Sequence, residues 1–157
     1  MTDQTFKILN FKQHIQVPFV KIATFRKSPI GYVSDYYQTD NNKYTTMGIV
    51  CNVMNIHILS GSYDLHDGIS VHLQIVALVY RPVVGQKMLV HLLKGRTGDI
   101  IGRIIDNDIN STVRFIEPPP QNINLNDQFL MWIKVESWQC QLMDKIVIIG
   151  DPRPLTN

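Results

Sequence analysis

The sequence predicts an α+β protein, mainly β, in which a small N-terminal sheet module with one short helix precedes a five-stranded barrel. Apolar and β-branched residues recur with a period of two over most of the chain, and only one stretch carries helix signals. The step Arg81-Pro82, followed by Gly85, breaks the pattern and divides the chain into residues 1–81 and 82–157. At 157 residues and 45% apolar content, there is material for a core in each module.

From Phe6 to Ala23 the residues Leu9, Phe11, Ile15, Val17, Phe19, Val20 and Ile22 are mixed with Lys and Gln at short intervals, which predicts extended chain; Pro18 marks an edge position. Ser28-Pro29 then opens the one helix, with Ser28 as cap, Pro29 in the first turn, and Ile30, Val33 and Tyr37 on one face. The polar run Gln38 to Thr46 is expected to be a loop. Met47 to Leu59 is too apolar and β-branched for a surface helix and predicts a strand. Gly61 to Gly68 is dense in turn formers and ends in the reversal signal Asp67-Gly68. In the strand that follows, Val71, Leu73, Ile75, Ala77 and Val79 alternate first with Ser70, His72 and Gln74, then with Val76 and Leu78. Its first half is predicted half-buried and its second half apolar on both faces.

Beyond Gly85 five extended segments are expected: Lys87 to Leu93, Ile100 to Ile105, Thr112 to Ile116, Gln128 to Glu136 and Lys145 to Ile149. The separators are Gly95 to Gly98, Asp106 to Asn110, Pro118 to Asn126, where three consecutive prolines exclude a sheet, and Trp138 to Asp144. Five short strands with the longest loop between the third and fourth suit a Greek-key barrel of the OB type.

The junction carries a resemblance. The strand end Ala77-Leu78-Val79-Tyr80-Arg81-Pro82 followed by Val83-Val84-Gly85-Gln86 resembles the step joining tip and barrel in the larger stalk subunit of multisubunit RNA polymerases, where an aromatic-Arg/Lys-Pro step precedes a Gly-Glu pair. Here Gln86 replaces the acid. Gly48-Ile49-Val50 with Asn55-Ile56, then Asp67-Gly68, is similar to that family's central tip strands. Asn126-Asp127-Gln128-Phe129 through Lys134-Val135, then Ile146 to Gly150, is similar to its last barrel strands. The run Ile15 to Val20 looks more like the polymerase I version. The resemblance spans Phe6 to Asp151 in order. It implies a non-catalytic subunit in the nucleus or nucleolus, or in the cytoplasm for an archaeal or viral source. The tip would dock on the polymerase core, a smaller helical subunit would pack along the side, and the barrel would reach single-stranded RNA weakly. No cofactor and no membrane is implied.

Between Pro82 and Gly98 the charged residues are Lys87, Lys94 and Arg96, with His91 among them and no acid. Strand alternation puts Lys87, Leu89, His91 and Leu93 on one face and Met88, Val90 and Leu92 on the other. Arg103 and Arg114 extend this basic edge onto neighbouring strands, the arrangement with which OB barrels hold single strands when exposed aromatics are added. Against it, residues 82–157 contain eight Lys/Arg and eight Asp/Glu, so ordinary surface charge is the competing reading and only modest, salt-sensitive affinity is expected. Of the two tryptophans, one is expected to fill the barrel core, and Trp138, just past the predicted strand, is the candidate for an exposed stacking contact. Ile56, Ile58, Leu59, Tyr63 and Leu65, with Arg81 and Pro82 at the junction, are the candidate docking residues, because exposed apolar turn residues otherwise lack a reason.

No catalytic or metal constellation can be assembled. His14, His57, His66, His72 and His91 lack ligand spacing, His66-Asp67 has no nucleophile near it, and Asp106-Asn107-Asp108-Ile109-Asn110 lacks the glycine and closing glutamate of a calcium loop. Cys51 and Cys140 are expected to be buried reduced thiols. The formal charge of +2, with no basic-apolar leader and no long apolar run, predicts a soluble intracellular protein, and Asn110-Ser111-Thr112 is expected to be a polar turn. The function competing with a stalk subunit is a free-standing OB module for single-stranded DNA or RNA, of replication or telomere type, which would bind oligonucleotides without a partner.

Overall fold

The computed structural model describes residues 5–64, 66–94, 98–104, 111–116, 130–140 and 146–151. Its first module is a four-stranded antiparallel sheet in the order β1-β4-β3-β2, from β1 (Phe6–Val17), β2 (Tyr44–Thr45), β3 (Gly48–Asp64) and β4 (Gly68–Tyr80). Three short helices stand between β1 and β2: α1 (Ile22–Lys27), α2 (Pro29–Gln38) and α3 (Asp40–Lys43).

Helix α2 begins as its sequence predicts. The Ser28 hydroxyl accepts the Gly31 amide at 3.2 Å, Pro29 occupies the first turn, and Val33 and Tyr37 are buried. Ile30 stays exposed. The extended chain stops earlier than expected, at Val17: Pro18 starts a 3-10 turn, Phe19–Lys21, that leads into α1. The run Gln38 to Thr46 is also no plain loop, since it holds α3 and the short β2.

One face of this sheet carries the module's core. Ile15, Val17, Val50, Val53, Val71, Leu73, Ile75, Ala77 and Val79 meet Phe25, Val33 and Tyr37 from the helices. In β4 the alternation of Val71, Leu73 and Ile75 with His72 and Gln74 is the period-two signal made physical. Burial raises the Tyr37 phenol above its ordinary range, with the neighbouring Tyr36 adding to the effect.

Cys51 departs from expectation, being exposed where a buried thiol is predicted. Cys51 follows buried Val50, so alternation turns it outward, and the register shift between Val50 and Asn52 returns Val53 to the core face.

The second module is a closed barrel with strand order β5-β6-β7-β9-β8, built from β5 (Lys87–Lys94), β6 (Ile100–Ile104), β7 (Ser111–Phe115), β8 (Leu130–Cys140) and β9 (Ile146–Asp151). β7 and β9 are parallel and the other pairs antiparallel, an order compatible with the OB fold. Met88, Val90, Leu92, Val113, Ile133, Val135, Ile146 and Ile148 fill its interior. Ser111 opens β7 rather than forming a turn: it is buried, and its hydroxyl accepts the Ile104 amide at 3.0 Å.

The same core cluster takes in Tyr44, Ile49 and Tyr80 from the first module, with Phe6 edge-on to Tyr80 at 5.2 Å between ring centroids. Polar ties reinforce this seam. The Arg81 amide donates to the Thr5 carbonyl at 2.6 Å, the Gln86 side-chain amide to the Thr5 hydroxyl at 3.0 Å, and the Gly85 amide to the Val135 carbonyl at 2.7 Å. Gln86, where the resemblance leads one to expect an acid, thus closes the junction as a neutral donor and also accepts the Val83 amide. The segments Asp106 to Asn110 and Pro118 to Asn126 lie outside the described residues.

Candidate nucleic-acid interface

Strand β5 alternates as the sequence predicts, with Met88, Val90 and Leu92 inside the barrel and Lys87, Leu89, His91 and Leu93 outside. Register then assembles the outer face. His91 lies opposite Arg103 on β6, while on the other side Lys87 faces Lys134, Leu89 faces Trp132 and His91 faces Leu130 of β8. Arg103 and Arg114 are both exposed, flanking the buried Gly102–Val113 pair that joins β6 to β7.

Gly102 marks a close approach of strands in the barrel. A Cβ there would press on Val113, Val90 and Phe115, so only glycine lets the strands lie this close. Lys94 belongs to the inward alternation and emerges at the barrel rim, off this face. Arg96 lies outside the described residues.

The tryptophans exchange the roles the sequence suggests. Trp132 is 56% exposed, and with Leu130 at 49% it forms the apolar part of the outer face. Trp138 lies inside β8, not beyond it, and packs partly buried against the barrel core with the Arg81 guanidinium 5.5 Å from its ring centroid. A bulge between Val135 and Ser137 causes the difference. Ahead of it Trp132 has the outward parity of Lys134, and after it Trp138 has the inward parity of Cys140.

Sequence reasoning missed Trp132, Leu130 and Lys134. The signal was available in Trp132-Ile133-Lys134-Val135-Glu136, where the tryptophan keeps phase with two charged residues and out of phase with two β-branched ones.

Over the outward positions of β5, of β6, of β7 and of Leu130 to Lys134 there is no carboxylate. Glu136 comes next, at the bulge, and Asp151, in register with Lys134 on its far side, is buried. Strands β8, β5 and β6 therefore bring Lys134, Lys87 and Arg103 round one exposed indole, while Arg114 on β7 lies one strand further round the barrel. Chemically this face can attract a polyanion and offer a flat apolar surface to a base. Among the described residues no group of three or more His, Cys, Asp or Glu side chains is placed to hold a metal.

The docking candidates divide between two places. Ile58, Leu59 and Tyr63 are exposed on β3, joined by Met54, whereas Ile56 packs against the sheet core. Past Ile49, β3 has only β4 as a strand partner, so its other edge is unpaired by any described strand. Tyr63, 70% exposed, lies at the end of the sheet away from the barrel, level with Ile69 and Val17, and exposed Phe19 and Val20 follow directly. The Arg26 guanidinium donates to its hydroxyl at 3.4 Å. Arg81 and Pro82 sit in the seam instead: Pro82 is buried, and Arg81 also donates to the Met47 carbonyl at 3.3 Å. Leu65 lies outside the described residues.

No protein-family model matches this chain, and no curated protein matches it at a significant level. No helix among the described residues is long and apolar enough to cross a membrane.

Proposed function

We propose that the chain is a non-catalytic stalk subunit of a DNA-dependent RNA polymerase, whose first module docks on the core enzyme and whose barrel meets single-stranded RNA. The observation that carries this reading is the seam. Tyr44, Ile49 and Tyr80 share a core with the barrel, so the basic outer face is held at a fixed place relative to the exposed apolar end at Phe19, Val20 and Tyr63. Oligonucleotide binding alone needs only the barrel. A stalk also uses the second module, since it must present RNA at a set distance from its docking point. The exposed apolar residues at the far end supply burial for a protein contact. The unpaired edge of β3 offers a second one, and a smaller helical subunit is the expected companion.

The test is to tag the chain in its native cell, purify it gently and identify what comes with it by mass spectrometry. Recovery of large catalytic polymerase subunits with one small helical partner is the expected result and names the polymerase. Recovery of the chain alone, or with replication or telomere proteins, would overturn the stalk reading in favour of a free-standing module.

A further inference from the structure

We propose that single-stranded RNA crosses the barrel on strands β8 and β5, with a base stacked on Trp132, rather than over the β6–β7 surface where OB barrels usually take their ligands. The inference rests on the RNA-binding reading above and assigns it a path.

Three observations place it there. Trp132 is more than half exposed in the middle of a regular strand pairing, in register with Leu89. Tryptophan with one end apolar and the other wet is enriched where a partner covers it. Next along the ladder, Lys87 and Lys134 stand directly opposite each other. Like charges in that position destabilise a sheet, and the carboxylate in register with Lys134 on its other side, Asp151, is buried. An anion between them would remove the repulsion. On the other side of the Trp132–Leu89 rung, His91 and Arg103 form a second polar pair. Each pair is two residues from that rung, about 6.7 Å along the strand. The indole therefore has a cationic site on either side, the order in which a strand of nucleic acid alternates phosphate, base and phosphate.

An acidic protein segment with an apolar anchor would satisfy the charges but not the flatness of the seat. Leu89 stands in register on the neighbouring strand, and an indole this exposed offers a surface to be covered rather than a pocket to be filled. Stacking uses such a face directly.

The experiment measures binding of the full chain to a fluorescent uridine oligonucleotide of about ten nucleotides, a length within the usual site size of one barrel. Trp132→Ala is expected to weaken binding about tenfold or more, the loss of one stacked base, with Trp132→Phe recovering most of it. Lys87→Gln with Lys134→Gln is expected to flatten the dependence of log affinity on log salt by about 1.4, two cations' share on a single strand. Arg114→Gln, on β7, should change affinity little. Circular dichroism of each variant confirms that the fold is kept.

If the wild-type chain binds no oligonucleotide at low salt, the RNA-binding reading itself fails. If it binds and Trp132→Ala is neutral while Arg103→Gln with Arg114→Gln abolishes binding, RNA runs over β6–β7 and only the path is wrong. If Trp132→Ala leaves RNA binding intact but loses a protein from the purified complex, the face belongs to a protein partner and the proposal is overturned.

Discussion

The Arg81 guanidinium lies 5.5 Å from the centroid of the Trp138 ring while donating to the Met47 carbonyl, so one side chain from the junction holds the barrel's last long strand and the start of β3 together. A cation over a ring contributes roughly 0.5–2 kcal/mol according to how far it is desolvated. Arg81 is half-buried. Trp138→Ala should destabilise the protein by about 3 kcal/mol, since it removes a large side chain packed on the core. Arg81→Ala should cost about 1–2 kcal/mol. The double variant, followed by urea unfolding, should return a coupling of about 1 kcal/mol; strict additivity would mean the pair does not act as a seam.

The two thiols should separate by reactivity. Cys51 is exposed on β3, whereas Cys140 is buried beside the seam, and burial pushes its thiol up to about 11 against the lowering effect of a backbone hydrogen bond from Thr45. Brief alkylation at neutral pH, read by mass spectrometry, should label Cys51 and spare Cys140 until the protein unfolds. Linkage gives a second readout. The unfolded chain releases the Cys140 proton from about pH 9 and the folded one only near 11, so stability is complete below pH 9 and falls as pH rises between those values. Burial of Tyr37 acts in the same sense from pH 10 upward, because its phenol too is raised by folding. Cys140→Ser should reduce the alkaline loss between pH 9 and 11, in unfolding curves compared with wild type.

Gly68 and Gly85 both have positive φ, at 121° and 91°, yet their substitutions should differ. A Cβ on Gly68 would run into the Val17 carbonyl and the Pro18 and Phe19 backbone, where the hairpin passes under the end of β1. One on Gly85 would meet nothing within 4 Å. Gly85→Ala should therefore cost about 1 kcal/mol, the conformational term alone. Gly68→Ala should cost about 3 kcal/mol or more, because immovable backbone adds to that term. Thermal melts of the two variants measure the difference.

What could be read from the sequence was whatever depends on alternation alone. The β4 core, the two faces of β5 and the Ser28 cap follow from period and local chemistry, and neighbouring strands do not alter them. Part of what escaped depends on bulges. An extra residue reverses parity for everything after it, and nothing in Val50-Cys51-Asn52 or Val135-Glu136-Ser137 marks the insertion before the partner strand is in place. Trp138 was thus expected exposed and found against the core, whereas Cys51, expected inside because its neighbours are apolar, simply follows buried Val50 outward. Lys134 and Lys87 are far apart in sequence and become neighbours only when the barrel closes, so the cation pair beside Trp132 was equally hidden.

That pair yields a prediction in which stability and function move in opposite directions. Lys87→Glu replaces a repulsive cross-strand contact with an attractive one, and both positions are exposed enough for the new pair to be worth only about 0.5 kcal/mol. The variant should therefore melt slightly higher than wild type at low salt, with the gain fading as salt is added. The same change puts a carboxylate where a phosphate is proposed to sit, so oligonucleotide affinity should fall more than it does for Lys87→Gln. A surface pair with no ligand gives the first effect without the second. A chain that keeps two opposed lysines at the expense of its own sheet, and loses RNA when they are reconciled, is using them to hold an anion.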